Sequence, residues 1–556
     1  MMVKHAVPYL VGDLRIANAH NAEGIYLTRD DIVIRPFLTK NGDAIDLVSV
    51  TFPKQVPAHA TLTKQFMKLS DLPSFRNARG NLFSVYSSVL KGIERPTERL
   101  NTVVSLNAID SKAYTADYNG TSTEYTLRRG YMYEAETQAG DCTSPLVISN
   151  PQMPRKIVGL HVAGATTGRA LALSVTQDML LDHISQIDDF SAQVYFEAEE
   201  LPIEYGTLPH LPSGGFIPLG KATSRVGSST STQIRPSKIH GMVKECTTAP
   251  AALRPVRCGD QIVDPMFNGL KKCGGSSPLL DLKLLDRCKK HISSLLKKFS
   301  YADKRILTHA EAISGVVGDP WLMPMNRRSS PGFPWSMYRN GLIGKTKWLG
   351  NGEEYILDDP ELLAKCEERI EAAKLGKRIP PIWTDTLKDE RRPIDKVKVG
   401  KTRVFSAGPM DYILNVRQYF LAFNAAMMQN RIKNEIALGV NPFGLDWHEL
   451  ALHLTSKGDN MCAGDFSNFD GSLPSVMLWA VCDIINEWYG DSDENQRIRT
   501  VLFSDIVNGI HINGDNVYQW THSQPSGNPL TTIINCLINS LIFRYVFVRA
   551  TGLSLA

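Results

Sequence analysis

Residues 464–470 read Gly-Asp-Phe-Ser-Asn-Phe-Asp, and further along the chain residues 526–535 read Ser-Gly-Asn-Pro-Leu-Thr-Thr-Ile-Ile-Asn. In the first stretch Asp465 and Asp470 lie five positions apart at the end of an apolar segment. This spacing predicts a strand that presents Asp465 and then turns. Carboxylate oxygens are the ligands that Mg²⁺ takes when it is shared with phosphate oxygens. The stretch therefore predicts a site for phosphate chemistry.

The second stretch predicts a loop that leads into an apolar helix. Its Ser526–Gly527 pair supplies a small hydroxyl beside a flexible backbone position. Thr531 and Asn535 lie four positions apart and therefore share one face of the helix. Small hydroxyls and an amide in this arrangement are suited to contact a ribose and its base.

Together the two stretches resemble motifs A and B of viral RNA-dependent RNA polymerases. The resemblance implies that Asp465 is a catalytic residue and a ligand of Mg²⁺ or Mn²⁺, with two ions expected in the complete polymerase. It also implies that Asp470 senses the ribose 2′-hydroxyl while Asn535 holds it. The nucleotide-binding residues implied by these two motifs are Asp470, Ser526, Gly527, Thr531 and Asn535.

A basic segment runs from Lys388 to Arg403. Pro393 and Gly400 within it favour a loop or ribbon over an exposed helix. Such a ribbon would hold an incoming triphosphate and neutralise the departing pyrophosphate. The segment resembles motif F of the same polymerases, and the resemblance implies four nucleotide-binding residues: Arg392, Lys396, Lys401 and Arg403.

Residues 327–335, Arg-Arg-Ser-Ser-Pro-Gly-Phe-Pro-Trp, resemble motif G, which guides the template strand. Phosphate contacts at such a loop give affinity without sequence preference. The template-contacting residues implied here are Arg328, Ser330 and Gly332.

Up to about residue 190 the chain reads as β-rich. Short runs of β-branched and apolar residues recur between turns, for instance at 31–35, 45–50, 102–106 and 156–160. Many short strands at this spacing predict a sandwich or a barrel.

A cysteine in this β-rich part lies in a glycine-containing turn. Residues 137–146 read Thr-Gln-Ala-Gly-Asp-Cys-Thr-Ser-Pro-Leu, and residues 159–164 read Gly-Leu-His-Val-Ala-Gly. The N–H groups of Gly140 and Cys142 could stabilise an oxyanion, and the thiol needs a nearby base to act as a nucleophile. A lone cysteine is more often a small buried hydrophobe, but the two segments together favour a nucleophile.

The two segments resemble the chymotrypsin-like cysteine proteases of picornaviruses and their relatives, which cut polyproteins after Gln or Glu. The resemblance implies that Cys142 is the nucleophile and that Thr137 and His161 line the pocket for the Gln side chain. The family usually has Gly directly after the nucleophile, whereas this chain has Thr143.

The general base and its carboxylate should precede Cys142, in the order His, Asp, nucleophile. Asp46 is the expected carboxylate, because an acid inside an apolar strand costs desolvation unless it is paired. Two histidines compete for the base. His5 is favoured because the family's spacing to the Asp is long, and His20 remains the alternative; His59 follows Asp46 and is out of order.

Composition sets few further limits. The 556 residues, 43% hydrophobic and 21% charged with a net charge of +4, are ordinary for a soluble protein of more than one domain. Nine cysteines without paired spacing indicate neither a disulfide framework nor a zinc site. No secretory signal is visible at the start, and the uncharged stretch 519–543 reads as too polar for a membrane-spanning helix.

The predicted fold class is multidomain. Residues 1–190 are expected to form a β-rich chymotrypsin-like double barrel that lacks its amino-terminal strands. Residues 191–235, rich in Pro, Gly, Ser and Thr, are predicted to be junction and linker. Residues 236–556, with helical patterns such as 281–299 and 359–375, are expected to form α+β right-hand polymerase fingers and a partial palm that stops before motif C and the thumb.

The wording of the motifs is nearest to dicistroviruses, which implies a viral replicase polyprotein fragment with cysteine endopeptidase and RNA-directed RNA polymerase activities. The implied partners are viral RNA template and primer, nucleoside triphosphates, the viral polyprotein and a protein primer, with membranes reached only through other viral proteins in the host cytoplasm. One alternative is an active protease with a degenerate, RNA-binding polymerase-like scaffold. A cellular chymotrypsin-like hydrolase and a reverse transcriptase are less consistent with the ordered motifs.

Overall fold

The computed structural model describes residues 1–12, 14–16, 25–38, 42, 44–53, 56, 62–71, 76–90, 93–150, 153, 155–165, 167–186, 196–197, 203–205, 208, 211–212, 215–227, 229–242, 245–273, 280–456, 458–520 and 522–555. The chain divides into two compact units, Met1–Val194 and Tyr195–Ala556.

The first unit is built from antiparallel strands. In chain order they are β1 (Leu14–Ile16), β2 (Ile25–Leu27), β3 (Val33–Leu38), β4 (Ala44–Thr51), β5 (Ala78–Leu90), β6 (Ile93–Tyr118), β7 (Thr121–Glu134), β8 (Pro145–Ile148), β9 (Ile157–Gly164) and β10 (Arg169–Ser174), followed by the helix α1 (Gln177–Ser185). Six of them close into a barrel in the order β10-β7-β6-β5-β8-β9. Within the described residues the expected double barrel is therefore one closed barrel and two separate ribbons, β1–β2 and β3–β4.

Burial along the barrel strands follows from their positions. On β8 buried residues alternate with partly exposed ones, as expected for a strand with one face toward the core. On β9 the six residues from Ile157 to Val162 are all buried. Strand β9 lies between β8 and β10. The turn that joins β7 to β8 therefore lies next to β9.

The second unit combines one six-stranded sheet with many helices. Its strands are β11 (Phe196–Glu197), β12 (Ile203–Tyr205), β13 (Phe216–Ala222), β14 (Thr248–Pro250), β15 (Val256–Cys258), β16 (Gln261–Val263), β17 (Lys377–Arg378), β18 (Ile382–Leu387), β19 (Arg391–Pro393), β20 (Val404–Ala407), β21 (Ile510–Asn513) and β22 (Asn516–Trp520). Its helices are α2 (Pro265–Leu270), α3 (Leu282–Leu296), α4 (His309–Ser314), α5 (Thr346–Leu349), α6 (Pro360–Lys374), α7 (Ile394–Lys398), α8 (Met410–Gln429), α9 (Leu445–Thr455), α10 (Ser475–Tyr489), α11 (Asp493–Val507) and α12 (Thr531–Thr551).

The sheet corrects the prediction that residues 191–235 are only linker. Its strand order is β12-β13-β22-β21-β18-β20, so two strands come from that segment. Phe216 is 1% exposed and packs edge-on against Tyr518 of β22. A segment with only a few apolar residues among its prolines and glycines can therefore add strands to a sheet that is formed mainly by other parts of the chain.

The predicted helices over 281–299 and 359–375 are confirmed as α3 and α6. Each begins where its sequence supplies a cap, because Asp281 accepts from Leu284 N and Asp359 accepts from Leu362 N. Helix α6 packs against α8, and α3 packs against α10 and α12. Helix α8 is buried along most of its length in a core that it shares with α10, α11 and α12.

Helix α12 differs from the expectation for this part of the chain. By length and composition alone it could cross a membrane, with a mean hydropathy of 1.5 over its most apolar window. A core helix of a soluble protein passes the same test, so one such helix is weak evidence. Ile534, Leu537 and Leu541 of α12 lie in the core with α10.

Two candidate active sites

In the first unit the structure brings His5, Asp46 and Cys142 together. His5 lies in a 3₁₀ turn (Lys4–Tyr9). Its Nδ1 lies 2.6 Å from Asp46 Oδ2, and its backbone N donates to Asp46 Oδ1 at 2.9 Å. On the other side of the ring, Nε2 lies 3.4 Å from Cys142 Sγ. This is the base-to-nucleophile and carboxylate-to-base arrangement of a catalytic triad.

The competing base is not part of this cluster as described. His20 and His59 both lie outside the described residues, so no contact of theirs bears on the choice. A second Cys–His pair exists in the other unit, where Cys246 Sγ lies 3.5 Å from His240 Nδ1. Among the described residues no carboxylate contacts His240, so this pair lacks an orienting acid.

The Cys142 turn leaves two backbone donors unused. Within the described chain the N–H groups of Gly140 and Cys142 donate to no acceptor, so both remain available to a substrate oxygen. Thr143 has a φ of 81°, a left-handed conformation that glycine adopts without strain. This explains the family's preference for Gly here, and Thr143 is held by its N–H to His161 O (2.8 Å) and by Val3 N to its Oγ1 (3.0 Å).

Two ion-pairing or hydrogen-bonding residues of this site escaped the sequence analysis. Tyr114 donates its hydroxyl to Asp46, and burial together with this carboxylate raises the tyrosine pKa. Asp141 is 3% exposed, pairs with Arg99 at 2.5 Å, and accepts from Gln138 N at 2.8 Å, which ties the turn to β6. The sequence did contain a signal for Asp141, because an acid directly before the proposed nucleophile needs partners if it is buried.

The predicted Gln pocket residues lie side by side. His161 is 2% exposed, and its Nδ1 is 2.7 Å from the Tyr133 hydroxyl. Burial lowers the pKa of His161 to about 4, so the ring is neutral at physiological pH. A Cβ added to Gly164 would lie 2.0 Å from Thr137 Oγ1 and 3.8 Å from His161 Cε1, so Thr137 and His161 border one narrow space.

His5 carries the opposite shift. Burial lowers its pKa, but hydrogen bonds to Asp46 and Cys142 outweigh burial and raise the pKa to about 9. Because the folded-state pKa lies above the unfolded value of 6.5, the charged imidazole stabilises the fold fully below pH 6.5, and this stabilisation is lost as the pH rises to about 9.

We expect Asp46→Asn to lower the pKa of His5 from about 9, because the hydrogen bond and the charge of the carboxylate no longer oppose burial. The measurement is an NMR titration of histidine Cε1–H signals, assigned with a His5→Gln variant. The His161 signal in the same spectra serves as the control and should keep its low pKa. An unchanged His5 titration in Asp46→Asn would contradict the pairing.

In the second unit the structure joins the two motifs that opened the sequence analysis. Asp470 lies in a 3₁₀ turn (Phe469–Gly471) and its Oδ1 accepts from Asn535 Nδ2 at 3.0 Å. Asn535 lies on α12, together with Thr531, as expected. Thr531 Oγ1 donates to Ser526 O at 3.1 Å and so holds the loop ahead of the helix.

Asp465 does not lie on a strand, which corrects the prediction. Residues 461–466 have no regular structure, and Asp465 is exposed. Among the described strands none pairs with this segment. The described residues contain no group of three or more His, Cys, Asp or Glu that could hold a metal ion. They do not by themselves make the expected two-ion site.

The Ser526–Gly527 loop packs tightly against strand β20. Ser406 N donates to Ser526 Oγ at 3.3 Å, and a Cβ added to Gly527 would lie 2.1 Å from Ser406 O. Ser406 in turn donates to Asp385, which also accepts from His511 Nδ1 (2.9 Å) and from the Tyr518 hydroxyl (2.6 Å). This buried Asp385 network was not predicted, because its members come from four separate strands.

The basic segment is partly strand and partly helix, and not a simple ribbon. β19 pairs with β14, and the short helix α7 carries Lys396. Arg403 forms an ion pair with Glu390. Arg392, Lys401 and Arg403 lie close enough to Lys272 to lower its pKa, after burial as the main cause. Lys272 therefore joins the predicted cations in one positive cluster, whose charge favours polyanions.

The Arg-rich loop at 327–335 is anchored by one arginine and leaves the other available. Arg327 donates to the carbonyls of Gly352 and Glu354, both at 2.8 Å, and stacks on Tyr355. The Arg328 side chain is exposed and contacts no partner among the described residues.

Two further groups of this loop are fixed by the backbone and by a buried lysine. A Cβ on Gly332 would lie 2.2 Å from Gly408 O, and Ser330 Oγ accepts from Gly332 N at 3.2 Å. The buried Lys345 donates to Ser329 O at 3.1 Å, and burial lowers its pKa to about 8. The loop is therefore held rigidly while Arg328 remains available.

Comparison with known proteins separates the same two units. Residues 238–555 match the family model of viral RNA-dependent RNA polymerases, and residues 38–189 match that of tungro spherical virus-type peptidases. The peptidase match includes Asp46, Cys142 and His161 but begins after His5. A solved Sicinivirus 3Dpol RNA-dependent RNA polymerase has the same fold, with a TM-score of 0.51 and 22% identity over 60% of this chain and 67% of that one.

Two curated relatives are similar over nearly the whole chain. The replicase polyprotein of Acute bee paralysis virus (strain Rothamsted) is 39% identical over 525 residues, which cover 91% of this chain and 27% of the relative. The replicase polyprotein of Drosophila C virus (strain EB) is 38% identical over 553 residues, covering 95% and 31%. The chain thus spans less than a third of the length of either relative.

Proposed function

Because this chain belongs to the family of viral RNA-dependent RNA polymerases and its first unit matches a viral peptidase model, we propose that it is part of a replicase polyprotein with two activities. The first unit is a cysteine endopeptidase that cuts the polyprotein. The second unit is the nucleotide- and template-binding part of an RNA-directed RNA polymerase. The proposal is supported by two hydrogen-bonded groups, one of His5, Asp46 and Cys142 and the other of Asp470 and Asn535.

The peptidase chemistry follows from the geometry of the Cys142 site. The proton of the Cys142 thiol lies on His5 Nε2, since the raised pKa of His5 keeps the imidazole protonated at neutral pH. The thiolate attacks the scissile carbonyl, and the imidazolium, paired with Asp46, gives its proton to the leaving amine. Tyr114 donates to Asp46 and orients it. The free N–H groups of Gly140 and Cys142 then bind the oxyanion. A neutral His161, ordered by Tyr133, donates to the amide oxygen of a Gln side chain, and selection of Gln or Glu follows from this pocket.

The polymerase chemistry is proposed for the complete protein. Asp470 accepts the ribose 2′-hydroxyl with the carboxylate oxygen that Asn535 leaves free. The positive cluster of Lys272, Arg392, Lys401 and Arg403 binds the triphosphate, and Arg328 contacts the template backbone. Viral polymerases of this fold depend on divalent metal ions, and Asp465 is one candidate ligand.

The proposed partners are viral RNA, nucleoside triphosphates and the viral polyprotein, in a replication complex of the host cytoplasm. A protein primer and membrane-bound viral proteins are proposed as further partners. The alternative, a peptidase with a degenerate polymerase-like scaffold, is disfavoured by the intact hydrogen bond between Asp470 and Asn535, since a scaffold needs no such pair.

We expect Asp470→Asn to reduce the preference for ribonucleotides over deoxyribonucleotides by about tenfold, because a neutral amide accepts a hydroxyl proton less strongly than a carboxylate. The measurement is primer extension on a homopolymer template with each sugar type, using a replicase precursor as long as the relatives. Asp515→Asn, which removes an exposed carboxylate paired with Lys221 at 3.2 Å, is the matched control. Equal sugar preference in Asp470→Asn and wild type would argue against the role of Asp470.

A further inference from the structure

Gln524 lies next to the Ser526–Gly527 loop and is 1% exposed. Its side-chain amide uses every hydrogen-bonding group. Nε2 donates to Asn535 Oδ1 at 2.5 Å and to Thr531 O at 3.2 Å, and Oε1 accepts from Asn528 Nδ2 at 3.1 Å. Gln524 therefore connects the loop to the residue that holds Asp470.

The direction of these hydrogen bonds is fixed by one backbone group. The Leu530 N–H can only donate, and it donates to Asn528 Oδ1 at 2.7 Å. Asn528 must then present its nitrogen to Gln524, and Gln524 must present its own nitrogen to Asn535. The Asn535 oxygen is thereby occupied, so the nitrogen of Asn535 faces Asp470 at 3.0 Å.

An asparagine amide without such neighbours has two orientations that differ only in which end is the donor. If Asn535 were reversed, its oxygen would face the Asp470 carboxylate, two acceptors would meet, and the carboxylate would turn away. Among the described residues Asp470 Oδ2 accepts no hydrogen bond, so its availability depends on the placement of Oδ1 alone.

We propose that Gln524 is a positioning residue for sugar selection. The Leu530 N–H fixes the amide orientation of Asn528, Asn528 fixes that of Gln524, and Gln524 fixes that of Asn535. Asp470 therefore receives a donor at Oδ1 and keeps Oδ2 directed to a ribose hydroxyl. The inference rests on the proposed polymerase function, because it explains how that same site recognises ribonucleotides.

The test uses Gln524→Glu in a replicase precursor as long as the relatives. Glutamate keeps the size of the side chain and the acceptor for Asn528 but cannot donate to Asn535. We expect kcat/KM for UTP to fall about tenfold or more while kcat/KM for dUTP stays the same, so that the ratio of the two falls by that factor. Asn528→Asp should change the ratio in the same direction, because it interrupts the same series one step earlier.

The matched control is Asn434→Asp. Asn434 is also a buried amide, 3% exposed, whose nitrogen donates to Met427 O and whose oxygen accepts from Ile436 N, without contact to the nucleotide site. The same chemical change there should leave the ratio of sugars unaltered. If Gln524→Glu fails to fold, Gln524→Met, which removes donor and acceptor together at similar volume, takes its place with the same expected direction.

A folded Gln524→Glu or Gln524→Met protein with the wild-type ratio of UTP to dUTP would overturn this inference and leave the polymerase proposal standing. A wild-type protein that extends no primer would overturn the polymerase proposal, and this inference with it. The sugar ratio separates positioning from general structural support, since a loss of stability lowers the use of both sugars equally.

Discussion

Replacing Cys142 with alanine is expected to lower cleavage of a Gln-containing peptide by about 10⁴-fold or more, because it removes the sulfur that lies 3.4 Å from His5 Nε2 and is the proposed acyl acceptor. The sulfur is a partly buried atom with a hydrogen bond to Val162 O at 3.5 Å, and its loss leaves the ion pair of His5 and Asp46 in place. The fold should therefore persist, with a melting temperature near that of the wild type.

The control for this experiment is Cys246→Ala. Cys246 also lies beside a histidine, at 3.5 Å from His240, yet it lacks an orienting carboxylate among the described residues. Its replacement should leave peptide turnover within about twofold of the wild type. Turnover that survives in Cys142→Ala and disappears in Cys246→Ala would transfer the nucleophile to the second unit.

Replacing Gly527 with alanine is expected to reduce RNA synthesis about 100-fold or more, since a misplacement of about 1 Å in a positioning group has costs of this order. The added Cβ would lie 2.1 Å from Ser406 O, and neither atom can rotate away, because the Cβ is fixed directly to the Gly527 backbone and the oxygen is itself a backbone atom. The loop would have to leave β20, and Ser526 Oγ would lose the N–H of Ser406.

The measurement is primer extension by the same long precursor, with both sugars present in separate reactions. Gly352→Ala is the matched control, because a Cβ there meets no atom within 4 Å. We expect synthesis to fall with ribonucleotides and deoxyribonucleotides alike, since the whole loop moves. Wild-type synthesis by Gly527→Ala would show that the tight contact with Ser406 is not needed.

The pairing of Asp46 was predictable from the sequence, but only one of its two partners was. Asp46 had to be paired because a buried carboxylate without donors is costly, and His5 was a candidate from its order in the chain. Tyr114, by contrast, comes from a strand 68 positions later, and nothing in its neighbourhood distinguishes it from other tyrosines.

Patterns of hydrophobicity were less informative where neighbours decide the outcome. The segment that ends at Asp465 has the composition of a strand but finds no partner among the described strands, whereas Phe216 and Leu219 form a strand inside a segment whose composition is that of a linker. The polymerase family itself was predicted from two short motifs and is confirmed by the match over residues 238–555. The proposed role of Gln524 could not be predicted from the sequence, because it depends on how the side-chain amides around it are oriented, and a single backbone N–H, that of Leu530, sets this orientation.

The hydrogen bond from Val3 N to Thr143 Oγ1 couples two events that are distant in the sequence. Residues 2–5 attach to β4 through the Met2–Val48 bridge and the pairing of His5 with Asp46, and to the Cys142 turn through the Val3 contact with Thr143. The same segment thus delivers the base and stabilises the strained turn that holds the nucleophile. If these few residues undock, by local unfolding or because a competing strand displaces them, the thiol loses its base and the oxyanion turn relaxes in one cooperative step. The activity of the peptidase should therefore follow the fraction of molecules in which residues 2–5 are docked.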